Sequence, residues 1–306
     1  MNIMSINTAD KIMITGSSGY VGSNLLDFLI DNGFNVIGAS RSRLKSNNTE
    51  TRRFSLDELS HTKLDDINTV IHTAGLVHNI KENGSDFDLY NNRATIEFAE
   101  LCARKGVKNF IFISTIGVHG QSSNLVIDEM SPIEIHNAYS KSKHDAECQL
   151  INLSKEIACM NIVIIRPPMI YGPSAPGNYK KLEQFMRKGL PLPFANLSNK
   201  RTFCHIENFC SFIERLIKIP DLSKFNREIF IVSDDEQVTT PAFIKHVAEV
   251  NEIKAWLVPV YKNVLIAFFL LIRRKFLVDS IMGDLIVCNS KARNMLDWNP
   301  KKFIRH

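Results

Sequence analysis

The sequence has no C-x-x-C pair, no histidine cluster at zinc spacing and no apolar run longer than nine residues. Its six cysteines stand apart at 102, 148, 159, 204, 210 and 288. That scatter excludes a zinc ribbon, so no metal site is expected, and buried free thiols in a reducing compartment are the expectation. The longest apolar run, VLIAFFLLI at 264–272, is followed by Arg273, Arg274 and Lys275. Crossing a bilayer takes about 20 residues, so the run does not span one. It is read as a buried helix of a second domain. The alternative is a contact with a membrane that is at most peripheral, because an apolar helix beside a basic flank is the interfacial pattern. The opening stretch, MNIMSINTAD, lacks the apolar core and basic flank of a secretory signal, which makes a cytoplasmic location the expectation. Charge of one sign is not in large excess either. With 37 Lys and Arg against 32 Asp and Glu, the net charge is +5, too weak and scattered to point to nucleic acid.

What is present is an ordinary soluble balance: 306 residues, 44% hydrophobic and 23% charged, enough for one large domain or two smaller ones. The first half alternates short apolar runs with amphipathic stretches. KIMIT (11–15), FNVIG (34–38), TVIHT (69–73), NFIFIS (109–114) and NIVIIR (161–166) read as strands. Helices are expected at 20–31, 86–105 and 138–156. Alternation of this kind implies parallel strands joined by right-handed helical crossovers, and continuous apolar runs imply a sheet covered on both faces. After Pro167 the stretch RPPMIYGPSAPG must be loop. EIFIV (228–232) reads as a further strand. Thr240 and Pro241 read as an N-cap and first helical position of a helix ending near Asn251. The expected fold is α/β: a Rossmann-type, doubly wound parallel sheet with a smaller, interleaved C-terminal lobe. The expected domains are 1–166 for dinucleotide binding and 167–306 for substrate, with about 200–233 returning to the first.

Five stretches carry chemistry. Between the first strand and first helix stands Gly16-Ser17-Ser18-Gly19-Tyr20-Val21-Gly22. Its glycines let backbone N–H groups approach a pyrophosphate at a helix N-terminus. The spacing is G-x-x-G-x-x-G, and no Gly-Lys-Ser/Thr follows to make a Walker loop. Thr73-Ala74-Gly75 and Ser114-Thr115 end later strands, where they could line a cofactor cleft and leave hydroxyls at the sheet edge. Tyr139 and Lys143 stand four apart, on one face of a helix. A free tyrosine has a pKa near 10, and a neighbouring ammonium is expected to lower it. Thr115 can orient a sugar oxygen while Tyr139 acts as general acid or base and hydride moves at carbon. After the second strand, where a carboxylate would hold the adenosine ribose, stand Ser40, Arg41 and Arg43. A guanidinium there suits a 2′-phosphate, so NADP(H) is the preferred cofactor, with NAD possible.

Together these motifs resemble the extended short-chain dehydrogenase/reductases of the NAD-dependent epimerase/dehydratase superfamily. The resemblance also runs through NNRAT at 91–95, RPPMIYGP at 166–173 and NKRTFCHIENF at 199–209. It implies a bound nicotinamide cofactor, held also by Pro167, and a UDP- or dTDP-sugar substrate. It further implies a homodimer through the tyrosine-bearing helix and a place in polysaccharide or O-antigen biosynthesis. By the same resemblance, Arg201 pairs with the substrate diphosphate and Asn178 lies near it, while Ala94, Met169 and Ile281 replace a Gly, an Asn and an Arg of relatives. The Asp-Glu that 4,6-dehydratases carry after the Thr is here Ile116-Gly117, so that elimination lacks its groups. What remains is hydride chemistry at one sugar carbon. RPPMIYGP, GLPLPF and NKRTF resemble the reductases of UDP-4-keto-6-deoxy-N-acetylhexosamines, which make UDP-N-acetyl-quinovosamine. The leading expectation is that 4-ketoreduction; the alternative is a UDP-sugar 4-epimerase with resident NAD.

Overall fold

The computed structural model describes residues 10–41, 50–54, 63–77, 84–157, 159–273 and 278–304. The first nine residues, Arg43, Arg274 and Lys275 lie outside the described residues.

Six strands build a parallel sheet: β1 (Lys11–Thr15), β2 (Val36–Ser40), β3 (Thr51–Arg53), β4 (Ile67–His72), β5 (Asn109–Ile113) and β6 (Asn161–Arg166). A seventh, β10 (Ile229–Ile231), joins beyond β6, giving the order β3-β2-β1-β4-β5-β6-β10. The chain runs outward one way from β1 through β2 and β3, then returns to β4 and proceeds the other way. This is the doubly wound Rossmann arrangement. The reversal between β1 and β4 opens a crevice at their C-terminal ends, where such sheets place ligands.

The strands are apolar because each is covered twice. Met13, Val70, Phe110, Phe112, Ile162 and Ile164 alternate onto one face and pack in one cluster with Phe98, Cys102 and Leu150. Those last three come from α3 (Ala94–Arg104) and α4 (Ala138–Glu156). The intervening Ile12, Ile14, Ile71, Ile111 and Ile165 point to the other face and are also buried. On β1 and β2 packs α1 (Tyr20–Asp31), which buries Leu25, Leu26 and Leu29.

The chain forms two compact units. The first holds 1–118, 135–167 and 209–230; the second holds 119–134, 168–208 and 231–306. The return to the first unit is therefore narrower than 200–233, and 119–134, expected with the first domain, belongs to the second. In the second unit β7 (Ile170–Tyr171) pairs with β9 (Cys204–His205), and β8 (Lys200–Thr202) with β11 (Gln237–Thr239). Its helices include α5 (Asn178–Arg187), α7 (Thr240–Val250), α8 (Lys262–Leu271) and α9 (Ser290–Leu296), while α6 (Ile206–Ile217) leads back to the first unit. Phe203 stacks on Phe243 at 4.1 Å, with Tyr171 edge-on to both.

Several expectations shift. The second strand starts two residues late, at Val36. The single helix over 86–105 is instead α2 (Gly84–Asp88), a π turn over Leu89–Arg93, and α3. Thr239 rather than Thr240 caps α7, accepting a hydrogen bond from Ala242 N at 3.3 Å. All six cysteines are free, but Cys148 and Cys159 are exposed. The helix over the longest apolar run is buried on one side only: Leu265 and Phe269 pack inward while most of its other apolar side chains face out. No helix among the described residues is long and apolar enough to cross a membrane.

Candidate active site

The turn after β1 is built around contacts that leave no room for side chains. Gly16 has φ +72°, and a Cβ there would lie 2.7 Å from Ala74 N. A Cβ on Gly22 would strike Gly16 O and lie 2.8 Å from Thr73 Oγ1. Thr73 in turn donates to Thr15 O at 2.6 Å. The glycine turn and Thr73-Ala74 thus close on each other, at the point where the sheet reverses. Gly19 N donates to Gly16 O at 2.8 Å, and α1 starts at Tyr20. Ser18 and Gly19 are exposed, Tyr20 and Val21 half-buried. Ser17 Oγ is buried with no hydrogen-bond partner among the described residues. Ser40, the last residue of β2, is buried, and Arg41 beside it is exposed.

At the end of β4, His72 is a fixed strut. Its Nδ1 pairs with Thr15 Oγ1 at 2.9 Å and its Nε2 with Thr95 Oγ1 at 3.2 Å. Full burial, helped by the Lys143 charge, pushes its pKa down to about 3, so it is neutral and links β1, β4 and α3 without titrating near pH 7.

The N-terminus of α4 brings in Tyr139 and Lys143. Asn137 caps it, accepting from Ser140 N at 2.8 Å. Lys143 is buried; its Nζ donates to Ile113 O at 2.9 Å and sits 4.5 Å from the centre of the Phe112 ring. Burial draws its pKa down to about 8, with Glu147 opposing. Tyr139 is half-buried, edge-on to Phe87 at 6.1 Å. Burial pushes its hydroxyl up to about 12, and a hydrogen bond with Thr115 opposes the rise. In the chain itself burial therefore outweighs the groups that favour the phenolate. Thr115 follows β5, and its Oγ1 also accepts from Gly117 N at 3.1 Å. Pro167 O, past the end of β6, accepts from Ile116 N at 2.9 Å.

The chain from Ile12 to Ile231 matches the model of the NAD dependent epimerase/dehydratase family. It belongs to that family. A relative in Vibrio cholerae, a UDP-glucose 4-epimerase, is 31% identical over 96% of this chain and 92% of its own. Solved structures share the fold, two of them as follows. The UDP-glucuronic acid 4-epimerase from Bacillus cereus, solved with NAD, has a TM-score of 0.77 at 19% identity, covering 95% of this chain and 92% of that one. RMD from Pseudomonas aeruginosa, solved with NADPH, has a TM-score of 0.74 at 17% identity, covering 96% and 95%.

The residues of this family member fit the dinucleotide that the family name implies. The Gly16–Gly22 turn, where a Cβ on Gly16 or Gly22 would clash with the chain's own backbone, and the buried Ser17 hydroxyl stand at a helix N-terminus suited to a pyrophosphate. Gly16→Ala is expected to cost about 1–3 kcal/mol from its positive φ alone. The clash with Ala74 adds to this, so the melting temperature falls and the dissociation constant for NAD(H) rises; thermal unfolding and fluorescence titration check both.

Sequence reasoning missed three groups. Asn91 lies in the π turn, fully buried; it accepts from Leu76 N at 2.7 Å and donates to Leu76 O at 3.0 Å and Ser142 Oγ at 3.1 Å. It clamps the strand-end loop to α4, and the widened turn is what swings it there. A Cβ on Gly75 would lie 2.9 Å from Asn91 Oδ1 and 3.4 Å from Lys143 Nζ. The second and third groups are Glu147 and Arg166, a buried pair that ties α4 to the end of β6. NNRAT carried the only signal for the first; Glu147, two turns beyond Tyr139 on the same helix face, could have suggested the second.

Arg201 and Asn178 belong to the second unit. Asn178 opens α5 and is exposed. Arg201 donates from Nη1 to Asp279 O at 3.2 Å and Gly283 O at 2.8 Å, and from Nη2 to Gln121 O at 3.1 Å. Burial draws its pKa down to about 10, with Asp284 opposing, so it keeps its charge at pH 7. The guanidinium expected on a diphosphate is thus largely spent on backbone carbonyls, leaving Nε and one Nη2 hydrogen. Ile281 packs against the cluster of Leu197, Leu265, Phe269 and Met282.

Proposed function

We infer that this enzyme moves hydride at C4 of a UDP-sugar, as a 4-epimerase with a nicotinamide cofactor. The observation that carries this is the convergence of Thr115, Tyr139 and Lys143 at the end of β5, with no carboxylate at 116–117 for elimination. The whole-length similarity to the Vibrio cholerae UDP-glucose 4-epimerase supports it and reverses the order that the sequence motifs suggest.

When bound, the cofactor supplies a hydride acceptor and donor, and its oxidised ring a positive charge that favours a phenolate. Tyr139 takes the proton from the sugar O4 when the alcohol is oxidised and returns it when the ketone is reduced. Thr115 donates a hydrogen bond that holds O4. Lys143, fixed by Ile113 O, presents its remaining N–H groups to the cofactor ribose. The glycine turn, Thr73, Ala74, Gly75 and Pro167 line the cofactor side. Asn178 and the remaining donors of Arg201 are assigned to the substrate diphosphate.

A second reading, 4-ketoreduction, rests on Ser40 and Arg41. With no carboxylate there to repel a 2′-phosphate, the site suits NADPH consumed stoichiometrically. One experiment separates the two. The purified protein is given UDP-glucose, UDP-galactose and their N-acetyl forms without added cofactor, then a UDP-4-keto-6-deoxy sugar with NADH or NADPH. Interconversion without added cofactor supports the epimerase. Turnover only of the ketone, with matching NADPH loss, replaces it with the reductase. No hydride chemistry on any UDP-sugar sinks both.

A further inference from the structure

The helix α8 has two apolar faces, and only one is packed. Leu265 and Phe269 sit in a cluster with Leu197 and Met282. The face turned away carries Val264, Phe268, Leu271 and Ile272, at helical spacings of four, seven and eight from Val264. Val264 is 57% exposed, Phe268 53% and Leu271 81%. A helix that is apolar all round is ordinarily buried, so this outer face calls for an occupant.

The charges around it say which. From Ile253 to Val278 the sequence has Lys254, Lys262, Arg273, Arg274 and Lys275 and not one Asp or Glu. Among the described residues, Lys262 opens α8 and Arg273 follows its end, both exposed, so a cation brackets the apolar face at each end. Tyr261, just before the helix, is exposed as well. Apolar residues between cations, with an aromatic at the border, match an acyl boundary beneath anionic headgroups. A second copy meeting this face would match the apolar area but would set its own cations against these.

We propose that the outer face of α8 docks on an anionic lipid surface, with Val264, Phe268, Leu271 and Ile272 entering the headgroup boundary and Lys262 and Arg273 pairing with lipid phosphates. The contact is peripheral. It holds the enzyme at a bilayer without altering its chemistry.

The test is co-flotation of the full chain with vesicles of phosphatidylcholine alone and vesicles containing about one-third phosphatidylglycerol. At least about tenfold more protein is expected on the anionic vesicles, falling as salt is raised from about 0.1 to 0.5 M. The Phe268→Glu/Leu271→Glu variant is expected to lose that binding while keeping its turnover and mass in solution. Arg273→Glu, which leaves the apolar face whole, is expected to weaken it. Wild-type protein that floats with neither vesicle, or equally with both, overturns the proposal, as does a double variant that binds like wild type. A wild-type dimer that the double variant makes monomeric, without vesicle binding, assigns the face to a second copy and also overturns it.

Discussion

Tyr139→Phe is expected to lower kcat by about 10²–10⁴-fold, the range for a lost general acid–base. The ring stays, so its contact with Phe87 and the fold of α4 are kept, and only the proton-carrying oxygen is removed. Cofactor affinity is expected to change little, which a fluorescence titration separates from turnover. The hydroxyl is pushed up to about 12 in the chain itself, so at pH 7 it is protonated and ready to act as an acid toward a ketone. To act as a base toward an alcohol it must first ionise, which the cofactor's positive charge assists. The alcohol-oxidising rate is therefore expected to rise with pH while the ketone-reducing rate does not. Flat profiles in both directions, or a variant with wild-type kcat, would remove Tyr139 from the proton transfer.

Glu147→Ala is expected to cost about 3–5 kcal/mol, the usual result of stripping one partner from a buried ion pair. Arg166 Nε donates to Glu147 Oε1 at 2.9 Å and Nη2 to Oε2 at 2.5 Å, with both side chains almost wholly buried. Removing the carboxylate leaves the guanidinium in the core without its counter-charge. Urea unfolding measures the loss. The Glu147→Leu/Arg166→Met double variant is expected to recover most of it, since apolar residues need no counter-charge. Burial raises the Glu147 pKa, but the His144 ring 3.6 Å away and the hydrogen-bonded Arg166 guanidinium outweigh it, and the net shift is downward. A depressed carboxylate stabilises fully above its unfolded value, about 4.3, and loses that contribution as pH falls through its folded value. The gap between wild type and Glu147→Ala is therefore expected to narrow in acid. Because α4 also carries Tyr139 and Lys143, kcat is expected to fall in the single variant.

The sheet was legible because its cause is local. KIMIT, TVIHT, NFIFIS and NIVIIR are apolar along their length, and burial on both faces asks for nothing more. The strand at Thr51–Arg53 was not legible, since three residues reading Thr-Arg-Arg carry no apolar period and their place is fixed by pairing with Gly38–Ser40. The break in the helix before α3 was hidden for a related reason. Its cause is Asn91 reaching Leu76 and Ser142, partners that are distant in sequence.

The sequence by itself determined the alternation of the apolar strands with helices, the glycine turn, and the pairing of Tyr139 with Lys143 on one helix face. Each follows from a local pattern: continuous apolar runs for the strands, glycines three apart for the turn, and a spacing of four for the shared helix face. Only the tertiary structure decided where polar and apolar groups found their partners. Lys143 bonds the Ile113 carbonyl; Arg201 spends three donors on backbone carbonyls; Glu147 meets Arg166; and α8 leaves one apolar face open. A buried donor or charge must be answered by whatever the folded chain brings near it, and that depends on the path of the whole chain rather than on the neighbours along it.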